Sequence, residues 1–288
     1  MKKKSGMLAA PFGIWMALFT IVPIGIVLWF AFTDANGQFT FDNVREIFAF
    51  DPSKGETLWN DSFVSTILYS LWLGFLTTVI SLVIAYPLAF SISRATERVQ
   101  LTMVMLVMLP MWMNFLLRTQ AIKSLLSESG LLNQFLGLFG VGSLEILNTD
   151  VAIVIGLVYD FLPFMILPLY SVMVKIGKSE IEAAQDLGAN VFSVFRRVVL
   201  PLSVPGILNG ITMVFVPSVS TFVISTLLGG SKRMMIGDVI ESMFVGEAPN
   251  RGVGSALALV LMVLILICMA VTRLADKSES TEEGGFAL

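Results

Sequence analysis

The chain has 288 residues, 56% of them hydrophobic and only 14% charged, with a formal net charge of −3. A soluble domain carries about 25% charged residues, so this composition belongs to a lipid-facing protein, and so small a net charge gives no reason to expect a nucleic-acid partner. Histidine is absent and Cys268 is the single cysteine, which excludes imidazole catalysis, histidine-ligated metal, an intrachain disulfide and a cysteine zinc cluster.

Lys2, Lys3 and Lys4 precede an apolar run from Met7 to Phe32. That run exceeds the roughly 7–15 residues of a signal-peptide core, and no small-residue cleavage pattern follows it, so it reads as a retained first span. A spanning helix needs about 20 mostly apolar residues. Six stretches qualify: 8–32, 65–92, 101–118, 151–174, 205–228 and 255–275. Because backbone groups in hydrocarbon must be paired internally, these are expected to be helices. The fold class is therefore an all-α integral membrane protein with six transmembrane helices, a single membrane domain over 1–275. Residues 276–288 are polar, rich in Gly, Ser and Glu, and read as a disordered tail.

With the N-terminus cytoplasmic, inner segments carry eleven Lys and Arg residues and outer segments carry seven. The bias predicts that both termini are cytoplasmic. Between the first two spans, residues 33–64 form an acidic outer loop containing Trp59. Residues 119–150 hold an amphipathic stretch (Ile122, Leu125, Leu126, Leu131, Leu132, Phe135, Leu136) that either lies along the membrane surface or packs on neighbouring spans. The methionines from Met103 to Met113 read as packing side chains rather than soft-metal ligands.

The long inner loop, 175–204, reads KIGKSEIEAAQDLGANVFSVFRRVVLPLSV. Ser179 and Glu182 have capping-box spacing, which predicts a short helix from Glu182 to Leu187. Gly188 is placed to adopt the positive φ of a helix C-terminus. A second amphipathic helix with Val191, Val194, Phe195 and Val198 on one face is expected next, and Pro201 and Pro205 mark the start of the fifth span. Two short helices joined at a sharp glycine turn make a compact knob, suited to act as a lever.

Glu182-Ala183-Ala184, three residues, Gly188, nine residues, Val198, one residue, Leu200-Pro201 resembles the signature of binding-protein-dependent ABC permeases, with Val198 in place of the usual Ile. The resemblance implies a type I importer permease fold and an ATPase-coupling role for Glu182, Ala183, Ala184, Gly188, Val198, Leu200 and Pro201. It further implies two ATPase subunits, a second permease subunit (expected to be a different chain), an extracytoplasmic solute-binding protein and a cytoplasmic-membrane location. No Walker A sequence is present. Cofactors are accordingly none in this chain, with ATP and magnesium assigned to the partner ATPase, and no catalytic residue is expected. A secondary transporter is the rival reading. It would need ion-coupling charges and usually an inverted repeat, and no repeat is evident.

Several further segments resemble the spermidine/putrescine permeases: Leu109 to Asn114 with Arg118, Gly130 to Asn133, Gly156 to Tyr159, and Leu227 to Gly230 with Met235-Ile236-Gly237. The resemblance implies a polyamine cargo, with opines, thiosulfate or iron as alternatives. Thr221 and Thr226 stand where polyamine permeases often carry acidic residues. A carboxylate at bilayer depth costs about 2.5–3.5 kcal/mol and so faces a cavity or a partner. Asp160, ten residues into the fourth span, lies about 15 Å deep at 1.5 Å per residue. Aromatic faces attract ammonium groups by about 0.5–2 kcal/mol, which makes Asp160, Tyr159, Trp112 and Asn114 candidate pathway residues. Pro217, Ser220 and Thr221 join them as a kinked gate in the fifth span. Asp160 could instead pair with the second permease subunit or serve an intrachain structural role. A direct pair with Arg118 is disfavoured, because eighteen residues of straight helix carry Arg118 to the outer interface. Asp238 and Glu241 read as an acidic vestibule or a solvated helix face.

Overall fold

The computed structural model of the chain describes residues 11–34, 36–48, 63–140, 142–230, 234–247 and 249–283, giving only the helical course for 275–283. Lys2 to Lys4 and Trp59 lie outside these residues. Five helices are long and apolar enough to cross a membrane: α1 (Pro11–Ala31), α3 (Phe63–Arg94), α7 (Asp150–Met173), α9 (Val191–Ser220) and α11, which crosses over Arg251–Leu274. A sixth crossing is made if α4 (Glu97–Trp112) and the segment Phe115–Gly137 count as one bent span, their axes meeting at 94°. Shorter helices are α2 (Asp42–Ile47), α5 (Phe115–Leu126), α6 (Leu131–Gly137), α8 (Lys178–Asp186) and α10 (Ile236–Val245).

The chain divides into two compact units, one of residues 1–67 with 239–264 and one of 68–238 with 265–288. In the first, Asn43 of α2 donates through Nδ2 to the carbonyls of Phe30, Ala31 and Thr33 at 3.0–3.2 Å. One amide thereby satisfies carbonyls that the C-terminus of α1 leaves unpaired.

In the second unit α7 is the central helix, with Asp160, Phe161, Met165, Leu169 and Met173 all buried. Its partner is α9, and small residues allow the approach. Gly206 and Gly210, four apart on α9, face Pro168, Val172 and Met165, where a Cβ would crowd the Pro168 carbonyl or the Met165 sulfur. This is the small-residue spacing that membrane helices use to bring backbones together.

Three expected elements differ. The third span is not a straight 101–118. Pro110 lies in a 3-10 turn at the end of α4, Met113 is extended, and Asn114 caps α5 by accepting the Leu116 N–H at 2.9 Å. The fifth span starts earlier and ends earlier than 205–228. The expected second loop helix and the span are one 30-residue helix, with Pro201 and Pro205 inside it. Just before Pro201 the ladder shifts into a π-helical turn, Phe195–Val199, in which the Leu200 N–H bonds the Phe195 carbonyl. A π turn displaces the carbonyl that a proline ring would strike, so the helix passes through. Finally, α11 continues to Glu283 through much of the stretch read as a disordered tail. A helix already nucleated by an apolar span propagates cheaply into Lys- and Glu-containing sequence.

Candidate functional site

The loop between α7 and α9 is built by local rules. α7 ends at Met173, and Gly177, extended at φ −66° and ψ 162°, is the N-cap of α8. The expected capping box does not form. α8 begins at Lys178, ahead of the expected Glu182, and Ser179 donates to the Glu180 carboxylate at 3.0 Å. At the other end Gly188 has φ +83°. Its N–H bonds the Gln185 carbonyl at 2.8 Å, and the Ala189 N–H bonds the Ala184 carbonyl at 3.1 Å. These two bonds define a Schellman motif, which fixes the distance between the residue accepting the outer bond and the left-handed residue. The spacing from Ala184 to Gly188 is therefore a folding requirement. Asn190 then caps α9 by accepting the Ser193 N–H at 2.8 Å.

The root of the loop is apolar. Ile176, Val194 and Val199 are buried together, with Phe90, Ile181, Ala184, Ala189 and Val198 packed against them. Arg94, at the C-terminal end of α3, donates Nη1 to the Ile176 carbonyl at 3.0 Å and lies 5.3 Å from the Phe90 ring centre. Tyr86 shares a 2.8 Å hydrogen bond with Ser203 and meets Phe195 edge-on. Leu200 is half-buried and Pro201 exposed along the same helix. The tip is bare: Leu187 is 90% exposed, Val191 79% and Phe192 69%, beside exposed Glu182 and Ala183.

Arg94 and Tyr86 were not singled out from the sequence, where Arg94 counted only toward topology. The other two Arg94 nitrogens, Nε and Nη2, are buried without partners. Arg94→Met removes one charged hydrogen bond, worth about 1.5–3 kcal/mol, together with two unpaired donors that cost a comparable amount. The thermal midpoint should stay near that of the parent while limited proteolysis within 177–190 accelerates. A large fall in the midpoint would contradict this balance.

The candidate pathway residues are not brought together around an open carboxylate. Asp160 is fully buried, and Arg118 is 6% exposed. Arg118 Nε bonds one Asp160 oxygen directly, and Thr119 donates to the other at 3.1 Å. Arg118 Nη1 also reaches the Pro110 carbonyl at 3.1 Å, and the guanidinium lies 5.7 Å from the Phe115 ring centre. The disfavoured ion pair is thus the one that forms. The depth count failed because α4 breaks at Met113 and α5 restarts at Asn114, so Arg118 occupies the first turn of a new helix at the level of Asp160. Trp112 is 79% exposed and Tyr159 40%, and the Asn114 side chain is used as a helix cap.

The fifth-span candidates lie at a helix end: α9, with Pro217 inside it, stops at Ser220, and Thr221 is extended. The Thr221 N–H bonds the Pro217 carbonyl at 3.0 Å, and Ser218 and Ser220 back-bond to Val214 and Val216. Such back-bonding weakens a helix. Beyond the break a π-helical turn, Ser225–Gly229, leads to Gly230 at φ +64°. Asp238 is neither vestibule nor solvated face: it is buried, accepts from Thr226 at 2.7 Å and from the Met235 N–H at 2.6 Å, and so closes the start of α10. The neighbouring Gly237 packs on the end of α9, where a Cβ would lie 2.6 Å from the Ser220 and Thr221 carbonyl oxygens. Backbone cannot yield there, so Gly237→Ala should destabilise by about 1–3 kcal/mol, read as a lower melting point in detergent.

Residues 7–280 match the family described as binding-protein-dependent transport system inner membrane component. The chain belongs to this family. It is thus a multi-pass component of an inner-membrane transport system. It is 38% identical over 271 residues to the spermidine/putrescine transport system permease protein PotB of Haemophilus influenzae, covering 91% of each chain. With PotB of Escherichia coli it shares 34% over 279 residues, 93% of this chain and 98% of that one. A crystal structure of a bacterial ABC transporter that imports alginate superimposes with a TM-score of 0.74 at 20% identity, over 94% of this chain and 96% of that one. At that identity the superposition speaks for the fold alone.

Proposed function

We propose that the chain is one half of the membrane channel of an ATP-driven polyamine importer, coupled to a separate ATPase through α8 and the Gly188 turn. The observation that carries the coupling is the bare apolar tip, Leu187, Val191 and Phe192, on a loop rooted in a buried cluster. An exposed patch of large apolar side chains on a rigid mount is a protein-docking feature. In this reading an ATPase subunit covers the tip, and its movement reaches α7 and α9 through the buried root. A second permease subunit completes the channel, and a solute-binding protein delivers cargo on the opposite side. ATP and magnesium belong to the ATPase.

The cargo assignment is supported by relatives named for spermidine and putrescine at 34–38% identity over nearly the whole chain. A second reading, another small solute, is favoured by one observation. The Asp160 carboxylate, the charge expected to face a polycation, is held by Arg118. Reconstitution with the ATPase, second permease and binding protein separates the readings. ATP-dependent uptake of labelled spermidine, competed by putrescine, is expected. Uptake of a different solute with no spermidine transport would sink the polyamine reading, and uptake independent of ATP hydrolysis would sink the importer reading.

A further inference from the structure

The elbow between α5 and α6 carries a polar pocket that neither coupling nor the Asp160 clasp uses. It is an open depression of about 500 Å³ lined by Gln120, Lys123, Ser124, Ser127, Ser129 and Gln134, among others. The walls are rigidly held. Asn133, buried, donates Nδ2 to the carbonyls of Ser127 at 3.1 Å and Leu144 at 3.0 Å, while its Oδ1 accepts the Leu144 N–H at 2.8 Å. Gln134 donates to the Ser129 carbonyl at 2.9 Å. Gly130 permits the turn, since a Cβ there would strike the Ser124 and Leu125 carbonyls. Lys123 is half-buried, and among the described residues no carboxylate pairs with its ammonium, the single salt bridge there being Arg118–Asp160.

Depth can be read from the helices. Arg118 is level with Asp160, ten residues below the start of α7 at Asp150. Leu147, three residues before α7, also lines the pocket. The pocket therefore sits where α7 enters the bilayer, at the end of the helix away from the α8 loop. Next to it α6 and the turn that follows expose four large side chains: Leu131 (68% exposed), Phe135 (58%), Leu138 (81%) and Phe139 (70%). Leu131, Phe135 and Leu138 fall on one stripe at i, i+4 and i+7. An apolar stripe beside a cationic, hydroxyl-lined pocket at the membrane boundary is the arrangement of an interfacial lipid contact.

We infer that this elbow binds the headgroup of an anionic phospholipid, with its phosphate on Lys123 and the serine hydroxyls and its acyl chains along the α6 stripe. A phosphodiester supplies one negative charge and two non-bridging oxygens, which suit the Lys123 ammonium and the Ser124 and Ser129 hydroxyls, the Ser127 hydroxyl being already donated to the Ser124 carbonyl at 2.8 Å. One lysine near an anionic surface changes binding about fivefold. The inference does not depend on the cargo.

The test uses the assembled transporter, delipidated in mild detergent and titrated with phosphatidylglycerol, with chain-matched phosphatidylcholine or with inorganic phosphate, bound lipid being counted by native mass spectrometry. Phosphatidylglycerol should be retained in preference to phosphatidylcholine. Lys123→Gln should reduce that preference about fivefold, and Lys123→Arg should keep it. Leu138→Ser, which leaves the charge in place, should lower retention of both lipids. No preference in the parent protein would overturn the inference without recourse to a variant. So would displacement of the lipid by inorganic phosphate alone, or a Lys123→Gln protein that keeps its lipid but releases the solute-binding protein or the second permease.

Discussion

Asp160→Ala should cost about 3–5 kcal/mol, the usual penalty for removing one partner of a buried ion pair. The Arg118 guanidinium would remain at 6% exposure with its carboxylate gone. Since whole domains are stable by about 5–15 kcal/mol, the expected phenotype is loss of folded, monodisperse protein, seen by size-exclusion chromatography and thermal unfolding in detergent. Asp160→Asn should show most of the same loss, because an amide keeps the shape and discards the charge. The double variant Arg118→Met with Asp160→Leu is the informative one. Replacing both charges by apolar groups of similar volume is often neutral or stabilising, so folded yield should return. A pathway carboxylate behaves differently: Asp160→Asn would leave the melting point intact and remove transport. Failure of the double variant to recover the fold, with Asp160→Asn fully folded, would return Asp160 to the pathway.

The same pair shows what could be read from the chain and what could not. Charge in a span marks a residue that needs a partner, and Asp160 was legible on that ground. The partner was not legible, because its depth was counted along a straight helix. The signals for the break were present in Pro110 and Asn114, one removing a backbone donor and one supplying a cap. They were outweighed by an unbroken run of apolar residues, since hydropathy reports immersion in lipid and is silent on direction. The fifth span erred the opposite way. Pro201 and Pro205 read as a boundary, yet the helix runs from Val191 to Ser220 by inserting a π turn. Sequence pattern fixes neither the hydrogen-bond register upstream of a proline nor the point where back-bonding hydroxyls such as Ser218 and Ser220 let the helix end.

The loop between α7 and α9 was the most legible part, for a physical reason. Its determinants are local: a left-handed glycine, an acceptor four residues earlier, and an asparagine cap. Such bonds are satisfied within a few residues, and spacing alone encodes them. The contacts that root the loop, from Arg94 and Tyr86 to Ile176 and Ser203, join residues 82 and 117 apart. No local pattern announces them.

Gly188 is where that local chemistry should have its largest functional effect. No atom lies within 4 Å of a Cβ built there, so the cost of a side chain is purely conformational. An L-residue held in the left-handed region costs about 1–2 kcal/mol, enough for a factor of about 5–30 in a two-state equilibrium. Gly188→Val, β-branched, should lie at the upper end. It should leave the melting point of the membrane helices near that of the parent, cut ATP-driven uptake roughly tenfold or more, and spare the basal ATP hydrolysis of the partner. Gly188→Asn should retain most transport, because asparagine tolerates the left-handed region. Leu187→Glu tests the adjacent surface with the backbone unchanged: it puts a charge on a side chain that is 90% exposed, so the fold should not respond. Co-purification of the ATPase should fall sharply if the tip is buried in that subunit, as desolvating an unpaired carboxylate in an apolar contact is costly. A valine at 188 that transports like the parent, with a glutamate at 187 that still holds the ATPase, would show that the Schellman turn shapes the loop without carrying the coupling.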